Sequence, residues 1–173
     1  MSFVMNGMIV SGRCAVRVPL PKHQAGVGLI EVLVAVLLLS IAFLGIAALQ
    51  ARSLATNNSA MARSLATIAS YSILDAMRVD IVSARAGSYN RTGSSAIAAS
   101  ACPDASGSLA DAQLGQWCAQ LGRALGAAES TTGQVSCTDA GTTANCTVTI
   151  TFDDSRAGVG GSSVQTVTTR AML

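Results

Sequence analysis

Three groups of residues in this chain carry side chains able to do chemistry. The first is a single carboxylate, Glu31, at the threshold of an apolar run. From Val32 to Leu49 the segment VLVAVLLLSIAFLGIAAL has no charge, and Ser40 is its only hydroxyl. A carboxylate in such surroundings costs a few kcal/mol and needs a partner. The second group is Cys102, Cys118, Cys137 and Cys146. The third is the acid pair Asp153 and Asp154. General acid–base work by that pair would need partners that the sequence does not supply, so the two aspartates read as a strand end followed by a turn. Serines and threonines abound, yet the only histidine is His23 and no lysine is placed beside a hydroxyl, so no activated nucleophile is expected. No CxxC pair occurs, which disfavours a zinc site. The expectation is no catalytic site, no metal and no cofactor.

The elements that position these groups follow from periodicity. Residues 27–50 are long and apolar enough to span a bilayer. Arg13, Arg17, Lys22 and His23 precede them without an acid. The positive-inside rule then places the N-terminus in the cytoplasm and the rest of the chain in the periplasm. From Gln50 to Arg85 there is neither proline nor glycine. Met61, Leu65, Ile68, Tyr71, Leu74, Met77 and Ile81 recur three or four residues apart, which predicts an amphipathic helix with this stripe in the core. Gly87 is its stop signal. Residues 87–107 read as an irregular loop. Ser108 is placed to cap a helix over 109–125, with Leu109, Leu114, Trp117, Leu121 and Leu125 on its apolar side. Trp117 is expected in the core, its N–H reaching a backbone carbonyl. Strands are predicted at 133–138, 146–152 and 163–171, the second from the alternation of Val148, Ile150 and Phe152 with threonines. A helix followed by antiparallel strands is an α+β arrangement.

Cys14 precedes the apolar run, and the four cysteines after it, an even number in a small extracytoplasmic domain, read as two disulfides. Three connectivities are open. Cys137 and Cys146 flank a turn containing Gly141, Thr142 and Asn145, so they pair across a hairpin, and Cys102 pairs with Cys118 by elimination.

The run Gly26-Val27-Gly28-Leu29-Ile30-Glu31, with the basic stretch before it and the apolar helix after it, resembles the type III signal of type IV pilins and pseudopilins. The resemblance implies that residues 1–26, with Cys14, are a prepilin leader. A membrane-bound prepilin peptidase/methyltransferase would cut between Gly26 and Val27 and N-methylate Val27. Val27 stands where Phe or Met is usual, and Gly28 where Thr is usual. Glu31 falls on the acidic position of that signal, where it would neutralise the N-terminal ammonium of a neighbouring subunit and fix the axial register of assembly. The wording GVGLIEVLVAVLLLS is similar to that of minor pilins, as are the segments from Ile73 to Arg78 and from Phe152 to Arg156.

The implied fold is the type IV pilin fold. A long helix over 27–86, transmembrane over 27–50, packs on a small antiparallel sheet in a head of residues 87–173. The implied role is structural, not enzymatic. It is that of a minor subunit of the pilus initiating or tip complex, residing first in the inner membrane and then in the pilus at the cell surface. Other minor and major pilins would be its partners. A minor pseudopilin of a type II secretion system shares the same signal and is the alternative. Losing Arg13, Arg17 and Lys22 with the leader leaves 8 basic against 9 acidic residues. No basic patch remains, and nucleic acid is not expected as a partner.

Overall fold

The computed structural model describes residues 26, 28–105, 107–157 and 161–173. The leader over 1–25 and Val27 lie outside these residues. The first element is α1, Leu29–Val79, with Glu31 in its first turn and Arg78 in its last. The chain divides into two units, the second being Ala42–Leu173, so α1 belongs to both. In the first unit α1 is exposed along its whole length. In the second it packs on a sheet.

The helix ends six residues sooner than Arg85, the end its unbroken pattern suggests. Asp80 has φ −114° and ψ 51°, and a separate short helix, α2, follows over Ile81–Arg85. Aspartate is a poor helix-interior residue because its carboxylate competes for hydrogen bonds. Here Asp80 accepts from the Ser83 hydroxyl at 2.8 Å and from the Tyr89 hydroxyl at 3.0 Å. Tyr89 is fully buried, and that burial, followed by the bond to Asp80, pushes its hydroxyl pKa above the ordinary value. Tyr89 therefore stays a neutral donor that holds the chain in place after the break.

Four strands form one antiparallel sheet in sequence order: β1 (Ile97–Ala98), β2 (Thr132–Asp139), β3 (Ala144–Phe152) and β4 (Gln165–Met172). The last three lie within two residues of their expected bounds. β1 falls in the stretch read as irregular, because two residues are too few to show a period. Val135, Cys137, Cys146, Val148, Ile150 and Phe152 face inward and are buried. β4 starts after Val164, which is exposed, and turns Val167 and Ala171 inward as half-buried residues.

Helix α3, Leu109–Leu125, has the bounds expected for it. The Ser108 hydroxyl accepts from the Asp111 N–H at 3.2 Å, and Asp111 reaches back to the Ser108 N–H. This is a capping box. Leu114, Trp117 and Leu121 are buried, but Leu109 is exposed and Ala110 lines the core in its stead. The Trp117 N–H donates to the Ala69 carbonyl of α1 at 2.9 Å. Close approach of α3 to the sheet requires glycine at 133, where a Cβ would lie 2.4 Å from the Trp117 ring and 2.9 Å from Leu121.

The face of α1 that packs overlaps the expected stripe only in part: Leu74 and Met77 are buried and Leu65 and Ile81 half-buried, as expected. Ser59, Ala66, Ala69, Ser70, Ile73, Leu74 and Met77 are buried. Met61, Ile68 and Tyr71 are 61%, 58% and 52% exposed. Successive helical residues turn by about 100°, so Ala66 and Ile68 point to nearly opposite sides. Between Ser59 and Ser70 the side chains that face the head are small, because they let the helix come close; Ile73, Leu74 and Met77 fill the core farther along.

Candidate processing and assembly site

Gly28 starts α1: its carbonyl accepts from the Glu31 N–H at 2.9 Å and from the Val32 N–H at 3.3 Å. Gly26 therefore lies ahead of the helical backbone. It is exposed, with nothing within 4 Å of where a side chain would begin. A peptide bond outside a helix has its carbonyl and N–H free for an extended fit in a peptidase, whereas one inside the ladder does not. Leu29 and Ile30 occupy the first two helical positions and Glu31 the third. The helix dipole favours a carboxylate there by about 0.3–1 kcal/mol. That is less than the roughly 2.5–3.5 kcal/mol for a charge deep in a bilayer. The dipole alone does not offset burial of Glu31, and among the described residues it has no ion pair. Arg52 is the next basic residue along the chain. A cation for Glu31 has to come from elsewhere.

Beyond Glu31, α1 carries one exposed apolar side chain after another up to Leu49. This stretch is long and apolar enough to cross a membrane. Farther on, Leu54, Met61 and Ile68 are 64%, 61% and 58% exposed. They recur every seven residues, so they share one side of the helix. It is the side turned away from the alanine face.

The head that follows is closed by covalent and polar ties. Its disulfides are Cys102–Cys118 and Cys137–Cys146, and the second joins directly opposed residues of β2 and β3. Among the described residues three ion pairs lie at the surface. Arg85 donates to Asp139 at 2.7 Å, which raises the guanidinium pKa and lowers that of the carboxyl. Arg91 meets Asp111 at 3.1 Å; the Ser108 hydrogen bonds, more than Arg91, hold the Asp111 carboxyl below its usual range. Arg78 pairs with Asp75. Such exposed pairs contribute little to stability.

The two adjacent acids after β3 are put to different uses. Asp153 faces solvent and accepts from the Ser155 N–H at 2.8 Å, as expected of a turn. Asp154 is buried and accepts from the hydroxyl of Ser59 on α1. This tie pins the turn after β3 onto the helix. Sequence reading missed it, because a serine 95 positions away leaves no local signal. It also missed Asn90, whose side-chain amide meets the Cys137 backbone: its Oδ1 accepts at 2.7 Å and its Nδ2 donates at 3.1 Å.

Residues 21–47 match the family model for the prokaryotic N-terminal methylation motif. No curated protein and no solved structure matches the chain. The motif implies processing by a prepilin peptidase and assembly with other pilin-type subunits, and with the apolar helix it points to membrane anchoring. An exposed glycine, a carboxylate on the first helical turn and an α+β head supported on the same helix together fit a type IV pilin-like protein.

Proposed function

We propose that this chain is a minor type IV pilin, most like the PilV-type pilus modification proteins. It is a structural subunit, not an enzyme, and it acts in the initiating or tip complex of the pilus. The observation that carries this reading is the double apolar character of α1. Its alanine face is covered by its own sheet, while Leu54, Met61 and Ile68 on the other side stay exposed. They extend the bare apolar surface of residues 29–49 into the half of the helix that supports the head. A helix that only anchored the head would need no large apolar residues there. A helix that packs in a bundle with its counterparts does.

In this reading the enzyme cuts after Gly26, Val27 becomes the N-methylated terminus, and its ammonium is met by Glu31 of the adjoining subunit. Pairing removes two charges that would each be costly alone in an apolar filament core. Residues 1–26 are the leader, α1 is the assembly helix, and the chain after it completes the head. The head lies in the periplasm while the helix spans the inner membrane.

The test is twofold. Mass spectrometry of the mature protein is expected to show an N-methylated Val27; cleavage beyond Leu49, or an intact leader, would sink the assignment. Immunodetection in sheared pili, in strains with and without a type II secretion system, separates the pilus from the pseudopilus. Presence in pili independent of the secretion system is the expected result.

A further inference from the structure

The two edges of the head's sheet are treated differently. At the β2 edge every outward backbone group inside the strand is met. Gly133 pairs with Ile97, Val135 exchanges hydrogen bonds with Arg91 at 2.8 and 3.0 Å, and Cys137 is met by the Asn90 amide. The segment 90–98, which ends in β1, thus lines the whole of that edge, part backbone and part side chain. Among the described residues nothing corresponds to it at β4. The order of the sheet ends there.

Which groups of β4 are open follows from the register. Ala144 and Leu173 exchange both backbone hydrogen bonds, at 3.1 and 2.9 Å. In an antiparallel ladder, pairs that exchange bonds alternate with pairs that do not. Gln165, Val167, Thr169 and Ala171 therefore bond to β3, and Thr166, Thr168, Arg170 and Met172 turn their N–H and C=O outward. Among the described residues no hydrogen bond involves the backbone of these four. The usual protections of an edge are proline, a bulge, several charges or a covering loop. β4 has no proline and pairs with β3 residue for residue, and its only charge is Arg170. Arg170 is exposed and makes no ion pair among the described residues.

We propose that the open edge of β4 is a docking site for an extended segment of a different protein chain, which adds a fifth strand beside β4 and sets an acidic side chain against Arg170. Backbone groups of Thr166, Thr168, Arg170 and Met172 supply the main-chain bonds, and Arg170 selects the partner by charge. A second copy of β4 does not fit, because the strand QTVTTRAM carries no acid to set against Arg170. The inference does not rest on the pilin reading, because it needs only an open edge.

The test uses the full chain in its own membranes, with the photo-reactive residue benzoylphenylalanine in place of Thr166. Cross-strand neighbours lie within its reach. Irradiation is expected to yield an adduct with another protein, through a segment bearing Asp or Glu. Thr168→Pro removes one outward N–H and leaves the ladder to β3 intact, so it should lower the adduct roughly tenfold. Thr168→Val keeps the N–H and should leave the yield within about twofold. Arg170→Glu should lower it. Both disulfides, mapped without reduction, report that the head has folded. Where Thr168→Pro fails that check, Arg170→Glu decides, since it does not touch the backbone. No adduct, an adduct only with a second copy of this chain, or an adduct indifferent to both Thr168→Pro and Arg170→Glu overturns the proposal. An adduct that meets these criteria with a chain lacking a prepilin-type signal supports the docking edge while counting against the pilus reading, so the two fail separately.

Discussion

Ile68 and Ala69 are neighbours on α1 with opposite environments, and substituting each in turn separates folding from assembly. Ile68 is 58% exposed and Ala69 is fully buried. Ile68→Ser removes an apolar side chain that the head scarcely uses, and isoleucine and serine have similar helix propensities. The folded chain should lose no more than about 0.5 kcal/mol, the usual range for a surface change. In a bundle the same side chain would be covered. Full burial of an isoleucine is worth about 1.5–3 kcal/mol, so something over half of that is available to an assembled neighbour.

Ala69→Leu does the opposite. It forces extra atoms between α1 and α3, where the Ala69 carbonyl already accepts from Trp117. Overpacking of this kind costs about 1–3 kcal/mol. At about 4 °C per kcal/mol this lowers Tm by roughly 4–12 °C. The assay is thermal unfolding of the full chain in detergent, followed by near-ultraviolet circular dichroism of Trp117, the only tryptophan. It is paired with immunodetection of each variant in sheared filaments. Ile68→Ser should melt like the parent and be missing from filaments. If it melts as early as Ala69→Leu, the assignment of faces is wrong. If it melts normally and enters filaments at the parental level, the exposed stripe does not drive assembly.

Gly26→Leu should block maturation, whereas Glu31→Ala should be cleaved at Gly26 and then fail to enter filaments; electrophoretic mobility and filament content distinguish the two. Cys137→Ser opens a bridge between residues nine apart, worth about 2–3 kcal/mol in the chain-entropy model. It should lower the amount of chain in the membrane, measured by immunoblot, without changing leader cleavage. Gly133→Ala places a methyl group 2.4 Å from the Trp117 ring and should destabilise the head by about 1–3 kcal/mol. Trp117→Phe in the same chain should recover part of that loss, seen as non-additive melting temperatures followed by far-ultraviolet circular dichroism.

The parts of this fold that sequence reading reached are those with a short-range code. Ser108 and Asp111 announce the start of α3 three residues apart. Alternation over Cys146–Phe152 announces β3, and the turn between Cys137 and Cys146 sets them opposite each other. What it did not reach depends on distant partners. The buried Asp154 is explained by Ser59, and the covered edge of β2 by Asn90 and Arg91. The break at Asp80 needs Tyr89 to hold it. At the candidate site, the glycine and the carboxylate stand out because they belong to one short run, Gly26 to Glu31, inside the stretch that matches the methylation motif.

The stripe expected on α1 is divided by the fold: Leu74 and Met77 are in the core, while Met61, Ile68 and Tyr71 are exposed. A periodicity search weights large apolar residues, so it joined Met61, Leu65, Ile68 and Tyr71 to Leu74, Met77 and Ile81 in one stripe. In the folded chain the head takes Ala66, Ala69 and Ser70, with Ile73, Leu74 and Met77 farther along. Alanine contributes little apolar area, but it admits the sheet and Trp117 close to the helix backbone, and packing density compensates for side-chain size. Had the head alone shaped this helix, the opposite side would be polar, as on an ordinary amphipathic helix. It carries Leu54, Met61 and Ile68 instead, between Arg52, Arg63 and Arg78. Large, flexible or branched side chains on a surface that its own fold leaves bare are suited to contacts between chains. The same helix thus meets two demands at once, close packing inside the subunit and broad apolar contact outside it. The sequence stripe runs across both surfaces: Leu74 and Met77 serve the core, whereas Met61 and Ile68 lie on the bare side that the proposed filament would cover.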